Sequence, residues 1–449
     1  MEDTICAIST SMGIGAISIV RVTGSNTIDI VDSIFDHDLK NASSHTIHYG
    51  HIKYNEEIID EVLVMLMRGP KTYTTEDTIE INCHGGVSTT KKIMEVLLAN
   101  GCRLAEPGEF TKRAYLNGRI NLLEAESVND LIIAKTDAAR TLAINNVDGK
   151  LTKQISNLRE KIAKILANIE VNIDYPEYTD ELEVTKDLMH GYLDEINKEL
   201  IKLVNGSKNG RIIKNGVNVA IIGKPNVGKS SILNSLLDEE KAIVTNIPGT
   251  TRDIVEGSIT LNGVAINFID TAGIRKTEDI VEKIGVDKSK KTAENADIIL
   301  FVLNNNEAIS EEEKAMLEKY NNDKLIVFVN KMDLERKLII PENIKDIVYG
   351  NTIDINGLEK LKERITEKLN LSNIVNKDMS YLCNLREIDL VNKAYESLKN
   401  AQSNLDAGFS VDMIEIDLKS AWDYLGEIMG DSYEGELVDK IFSNFCLGK

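Results

Sequence analysis

The octapeptide GKPNVGKS (223–230) lies between an apolar run, VNVAIIG, and a helix-forming stretch, SSILNSLL. A phosphate-binding loop needs that context. A buried strand aims the chain at the ligand, glycines let backbone N–H groups converge on a phosphate, and a helix N-terminus follows. The segment therefore dictates an α/β unit with a parallel sheet. Residues 215–372 fit, because AINFID, DIILFVL and KLIVFVN are further short apolar runs separated by helix-like sequence. Within the loop, Asn226, Val227, Gly228, Lys229, Ser230 and Ser231 are the phosphate-contacting positions. Lys229 adds a mobile charge and the Ser230 hydroxyl can ligate Mg2+.

The base is read by NKMD (330–333), at the end of KLIVFVN. The Asp333 carboxylate can accept from guanine N1–H and the exocyclic amine, whereas adenine presents an acceptor at N1 and leaves the charge unpaired. With Asn330 and Lys331 beside it, this predicts GTP rather than ATP. DTAG (270–273) contributes Asp270, which can reach Mg2+ through water, then Thr271, Ala272 and the Gly273 N–H for the γ-phosphate. In GTTRD (249–253), Thr251 is the second hydroxyl expected on Mg2+. A turn over the base is matched only loosely, by NTI (351–353) before GLEKL.

Many GTP hydrolases place a glutamine after DTAG to orient the attacking water. Here Ile274 stands in that position and can neither donate nor accept a hydrogen bond. The segment RKTEDIVEKIG offers Glu278, Asp279 and Glu282 as carboxylates that could hold a water, and spacing does not choose among them. The developing phosphoryl charge also needs a cation: Arg252, Arg275 or a monovalent metal ion.

Outside the α/β unit, residues 1–118 carry strand-like runs, AISIVRV (16–22), EVLVMLM (61–67) and DTIEINC (77–83), and predict a compact α+β domain. From 119 to 214 the period becomes helical: Ile155, Leu158, Ile162, Ile165 and Ile169 share one face. DYPEY (174–178) interrupts that helix, and a second helix is expected to end at a loop, NGSKNG (205–210). Helical periodicity returns over 373–449, with Ile414, Leu418, Trp422, Leu425 and Met429 on one face. Unpartnered apolar stripes need each other, so the α/β unit is expected as an insertion in a discontinuous helical domain.

Lys and Arg (52) against Asp and Glu (72) give a net charge of −20, which argues against tight stand-alone nucleic-acid binding. No apolar run reaches the ~18 residues of a membrane span and no leader is legible, so a cytoplasmic protein is expected. Cys6, Cys83, Cys102, Cys383 and Cys446 show no paired spacing and read as reduced thiols.

Taken together, EPGEFTKRAYLNGRINLLEAESVNDLI (106–132), GKPNVGKS, TNIPGTTRD (245–253), DTAGIRK with EKIG (282–285), and the terminal FCLGK (445–449) resemble the MnmE (TrmE) family of tRNA-modification GTPases from end to end. The resemblance implies a multidomain fold. Its parts are an N-terminal α+β folate-binding and dimerisation domain, a discontinuous helical domain, and an inserted Ras-like P-loop GTPase domain with a mainly parallel sheet. It implies GTP contacts along Thr245, Asn246, Ile247, Pro248, Gly249, Thr250 and Thr251. It implies a homodimer hydrolysing GTP with K+ held by Asn226, Thr245, Ile247 and Thr250, and with Glu282 positioning water.

It further implies a tetrahydrofolate derivative (5-formyl- or methylene-) as one-carbon donor, at Arg21, Glu80, Arg119 and Lys449. Position 119 is commonly lysine in the family, and arginine keeps the charge with a different donor geometry. The structural alternative is that Glu80, within a strand, or Arg119, opening a helix, is a salt-bridge partner. With an FAD-dependent partner, MnmG, in a heterotetramer or larger complex, the family forms carboxymethylaminomethyl or aminomethyl groups at C5 of the wobble uridine of tRNA. Cys446 could be a nucleophile, a pocket wall or a buried filler. His84, before Gly85 and Gly86, reads as turn chemistry. The rival reading is a ribosome-assembly or RNA-chaperone GTPase switch without folate chemistry, although no RNA-binding appendage is evident. A stand-alone folate enzyme with a regulatory G domain is a third.

Overall fold

The computed structural model describes residues 3–174, 179–239, 255–270, 293–352, 357–376, 379–431 and 435–448. The positions Thr245 to Thr251, Thr271 to Gly273, Glu278, Asp279, Glu282 and Lys449 lie outside them, as do Arg252, Ile274 and Arg275. The chain forms two compact units. One comprises Met1–Asn129, Val147–Asn197 and Leu390–Lys449, the other Asp130–Asn146 and Lys198–Asp389.

In the first unit, β1 (Ile5–Ile8), β2 (Ile17–Thr23), β3 (Thr46–Tyr54), β4 (Glu57–Met67), β5 (Thr78–His84) and β6 (Arg103–Leu104) form one sheet in the order β3-β4-β5-β2-β1-β6. All pairings are antiparallel except β1 with β6. The three apolar runs read from the sequence are β2, β4 and β5. In β2 and β5, Val20, Val22, Ile79 and Ile81 alternate into a core covered by Ile93 and Leu97 of the helix Val87–Ala99. Arg113, 1% exposed, is met by Asp3, Glu76 and Glu109 at 2.8, 3.1 and 3.1 Å. Unpairing a charge buried like this costs about 3–5 kcal/mol. That cluster anchors the helix Glu109–Leu116, which carries Phe110 and Thr111.

The same unit holds the long helix Lys150–Asp174, whose Ile155, Leu158, Ile162, Ile165 and Ile169 are all buried. It packs on the helix Val411–Met429, where Ile414, Leu418, Leu425 and Met429 are buried. Trp422 is half-buried and stacks under the Arg159 guanidinium, 3.9 Å from its ring centre. The two stripes, more than 200 residues apart in sequence, do partner each other.

The second unit holds β7 (Val217–Ile222), β8 (Val255–Leu261), β9 (Val264–Asp270), β10 (Ile298–Asn304), β11 (Leu325–Asn330) and β12 (Ile347–Tyr349), in the order β12-β11-β10-β7-β9-β8. The sheet is parallel apart from β8, which folds back on β9 through Asn262 and Gly263. Both of those residues have positive φ, as a tight hairpin turn requires. Every residue of β10 and β11 is buried, which accounts for their unbroken apolar runs. Ala138, Ala139 and Leu142 of the helix Asp137–Val147 join this core, although they precede it by some distance in the chain.

One expectation is corrected. NGSKNG (205–210) is not a loop: the helix Thr179–Asn215 runs straight through it. Its glycines serve close packing instead. A Cβ on Gly206 would fall 2.8 Å from the Tyr381 ring, and one on Gly210 would fall 2.4 Å from the Leu382 carbonyl oxygen.

Candidate functional site

β7 delivers the chain at Ile222 to the phosphate loop, and the helix Lys229–Glu239 departs from it. Gly223 (φ +148) and Gly228 (φ +104) take conformations that side chains rarely adopt. A Cβ at Gly223 would meet the Val302 carbonyl oxygen at 2.5 Å, and one at Gly228 would meet Asn330 Nδ2 at 2.2 Å. The loop is thus a cradle that only glycine leaves open. Val227 is buried beneath it, and Ser230 and Ser231 are exposed at the first helical turn. Lys229 Nζ donates to the carbonyls of Gly223 and Lys224, both at 2.7 Å, so its ammonium curls over the loop.

NKMD is brought onto this loop. Asn330, 1% exposed, donates from Nδ2 to the Val227 carbonyl at 2.9 Å, and Lys331 Nζ donates to the Asn226 carbonyl at 3.0 Å. Lys331 (φ +62) starts a turn closed by the Leu334 N–H on the Lys331 carbonyl at 3.1 Å. Asn305, 2% exposed, pins that turn by donating to the Leu334 carbonyl at 3.0 Å, leaving Asp333 exposed to solvent. Asp270 closes β9, paired with Ile221 at the end of β7, on the phosphate-loop edge of the sheet. The Gly350 N–H donates to the Val329 carbonyl at 3.0 Å, so Gly350, just before Asn351 and Thr352, lies alongside the end of β11.

Two contacts in this region have no signal in the short nucleotide motifs. Lys224 pairs with Glu313 at 2.9 Å, and Glu313 is itself buried in the capping box that Ser310 makes at the start of the helix Glu311–Tyr320. Asn305 is the other. Neither Glu313 nor Asn305 belongs to a short motif, because each acts from a different strand end or helix end.

In the first unit, β2 and β5 place Arg21 directly opposite Glu80. Arg21 Nε donates to Glu80 Oε1 at 2.8 Å, both side chains being 18% exposed, so these two candidates are ion-paired with each other. Arg21 also donates to the Gly448 carbonyl at 3.3 Å and lies 5.5 Å from the Phe110 ring centre. Arg119 stacks on Tyr73 at 4.7 Å and donates to the Tyr73 carbonyl at 3.2 Å. Tyr73 hydrogen-bonds Thr111 at 3.0 Å. Burial pushes its phenol above the ordinary tyrosine range, against the opposing effects of Thr111, Arg119 and Arg21. Two cation–aromatic pairs thus lie together, with Tyr73 half-buried and Phe110 fully buried beneath Arg21, and these two aromatic residues are members that sequence reading missed.

The C-terminal segment is seated on the same domain. Phe442 and Phe445 are buried, the Gly108 N–H donates to the Cys446 carbonyl at 3.2 Å, and Ser9 Oγ donates to the Gly448 carbonyl at 3.2 Å. Cys446 is exposed, which removes the buried-filler reading. His84 closes β5 rather than forming part of a turn: its backbone N–H donates to Asp60 Oδ2 of β4 at 2.8 Å and its ring lies against Asp60 Oδ1. Among the described residues no cluster of three or more metal-ligating His, Cys, Asp or Glu occurs, and no helix is long and apolar enough to cross a membrane.

Comparison with known proteins covers both units. The family model described as the MnmE helical domain matches residues 122–446, and that described as the GTP-binding protein TrmE N-terminus matches 4–119. The tRNA modification GTPase MnmE of Streptococcus thermophilus is 49% identical over 449 residues, covering 100% of this chain and 98% of the relative. The chain belongs to the MnmE family. The Listeria innocua member is 49% identical over 455 residues, and that of Staphylococcus aureus is 46% identical over 458, each covering 100% of this chain and 99% of the relative. The match runs through both sites described above, so the MnmE family resemblance read from short motifs extends to the whole chain.

Proposed function

We propose that the chain is a GTP hydrolase acting in tRNA modification, with the four-part division 1–118, 119–214, 215–372 and 373–449. The observation that carries this reading is the lock between the two nucleotide motifs: Asn330 on Val227 and Lys331 on Asn226 hold the guanine-reading tetrapeptide against the phosphate cradle. In this reading Lys229 swings from its loop carbonyls to the β- and γ-phosphates, and Asp333 accepts from the guanine edge. Ser230 and Thr251 hold Mg2+, with Asp270 reaching it through water. Mg2+ supplies positive charge to the phosphate oxygens. The Gly273 N–H meets the γ-phosphate, and Glu282 orients the attacking water in place of the absent glutamine.

Asn226, exposed at the rim with φ +63, joins the carbonyls of Thr245, Ile247 and Thr250 in holding K+. That ion supplies the charge an arginine finger supplies elsewhere. Two G domains of a homodimer close on each other in this scheme. Replacing K+ by Na+ at constant ionic strength is expected to slow steady-state GTP hydrolysis roughly tenfold, the effect of about 1.4 kcal/mol lost from the transition state. Equal rates in both salts would remove the cation site from the mechanism.

A tetrahydrofolate derivative is proposed for the first unit, where Arg21, Arg119 and Lys449 offer donors for a glutamate tail and Glu80 accepts from a pterin N–H edge. Tyr73, half-buried, supplies an aromatic surface for a fused ring, while Phe110 is buried and backs Arg21 from beneath. Arg21→Ala is expected to weaken 5-formyltetrahydrofolate binding roughly tenfold, the value of one charge-assisted contact, with GTP turnover unchanged. Unaltered folate affinity in calorimetry would place the ligand elsewhere. The one-carbon unit then serves modification at C5 of the wobble uridine in the cytoplasm, with an FAD-dependent MnmG partner. With a net charge of −20, this chain leaves much of the tRNA contact to that partner.

A further inference from the structure

The second unit contains a cavity of about 640 Å3 that neither nucleotide nor folate chemistry uses. It lies at the amino ends of the parallel strands, lined by Val217 and Asn218 where β7 begins, by Ala265 of β9, and by Asp297 just before β10. Nucleotides in open α/β sheets bind at the opposite, carboxyl ends. β7 is 6 residues long, so about 20 Å of strand separates this cavity from the phosphate loop. Its volume falls within the range of about 300–1,000 Å3 typical of small-molecule sites.

Its walls have two characters. Ile133, Ile212 and Leu369 are at least partly exposed and give an apolar lining. Lys135, Lys208 and Arg211 also line it, all exposed. Lys208 and Arg211 are three apart on the helix Thr179–Asn215, so they share a face. Lys135, just before the helix Asp137–Val147, joins them in the lining from another part of the chain. None of the three has an ionic partner among the described residues. By contrast Lys214, on the same helix, is engaged by Asp130 at 2.7 Å and by Asn384.

Asp297, the carboxylate in the lining, is already engaged by the Asn218 N–H at 2.9 Å. A convergence of unpaired cations on an apolar cavity runs against the chain's net charge of −20. Beside a low-dielectric wall each cation acts on an anion more strongly than it would in bulk water.

We propose that this cavity is a further ligand site, for a small organic anion whose apolar body lies on Ile133, Ile212 and Leu369 and whose charged group meets Lys208, Arg211 and Lys135. A phosphodiester backbone is the less suited occupant, because it would cover the cations and leave the apolar lining exposed to water.

The probe for the test is 8-anilinonaphthalene-1-sulfonate, which combines one sulfonate with aromatic rings. Full-length protein is titrated and the fluorescence followed, for the wild type and for the pair Lys208→Glu/Arg211→Glu. The third protein is Ile212→Trp, which fills the cavity, and the fourth is the charge-matched control Lys91→Glu/Lys92→Glu on the helix Val87–Ala99 of the first unit. Circular dichroism and GTP turnover report that each variant is folded.

A saturable component is expected in the wild type and the control, weakened about tenfold or more by the charge reversal, the value of a lost charge-assisted contact. The same loss is expected in Ile212→Trp. Should that variant not fold, the exposed charge-reversal pair and its control decide alone. Equal binding in all proteins, or equal loss in the control, overturns the proposal. So does a labelled single-stranded oligonucleotide that depends on Lys208 and Arg211 yet binds Ile212→Trp normally, since the cations would then serve a nucleic-acid backbone.

Discussion

Gly228→Ala is expected to lower guanine-nucleotide affinity by about 10²-fold or more, read by titration with a fluorescent GDP analogue. The added methyl would sit 2.2 Å from Asn330 Nδ2, at a residue whose φ is +104. Two costs combine. Holding a side chain in that backbone conformation costs about 1–3 kcal/mol, and displacing Asn330 from the Val227 carbonyl leaves a buried acceptor unmet for about 1–3 kcal/mol more. Relaxing the strain means moving the loop, which dismantles the cradle and its tie to NKMD together. Gly408→Ala is the control: its φ is +75 but no atom lies within 4 Å of the added Cβ, so it carries backbone strain without touching the site. Its nucleotide affinity is expected to be unchanged. Wild-type affinity in Gly228→Ala would mean that the contact between Asn330 and the loop does not shape the nucleotide site.

Glu282→Ala is expected to reduce GTP turnover by roughly 10²-fold, the contribution of a positioned acid or base, while nucleotide affinity stays within about twofold. The reason begins at Ile274, which cannot orient water where a glutamine often does. A carboxylate that acts only on the attacking water changes the transition state and not the ground state, so kcat falls and binding does not. Glu278→Ala and Asp279→Ala, from the same segment, are expected to stay near wild type in single-turnover assays. Loss of binding in Glu282→Ala would mark the residue as structural, and a larger loss of turnover at Glu278 or Asp279 would move the role there.

Much of the architecture was legible because it is written in short, local patterns. The runs that became β7, β9, β10 and β11 are apolar along most of their length since both faces of a parallel sheet are covered. The faces Ile155 to Ile169 and Ile414 to Met429 were readable at helical period, and so was their need for each other. β8 was not singled out, although Asn262 and Gly263 between two alternating runs form a hairpin signal. The glycines of NGSKNG misled for a physical reason. Glycine marks a turn and also marks a surface another segment must approach closely, and the two uses look alike until Tyr381 and Leu382 are seen against the helix.

The sequence by itself determined the chemistry available at each position: the phosphate loop, the carboxylate that reads guanine, the isoleucine where a water-orienting amide is often found, and the terminal FCLGK. Tertiary structure alone decided which of these meet. Arg21 and Glu80 are 59 residues apart and face each other only because β2 and β5 pair in one register. Tyr73, Phe110 and the C-terminal segment at Gly448 converge on them through packing that no local pattern encodes. Asn330 reaches Val227 across 103 residues, and Lys135 shares a cavity of the second unit with Lys208 and Arg211, more than 70 residues further along the chain. Local conformation follows from side-chain sterics within a few residues, whereas such contacts depend on how strands order and helices dock, which is settled by burial over the whole domain.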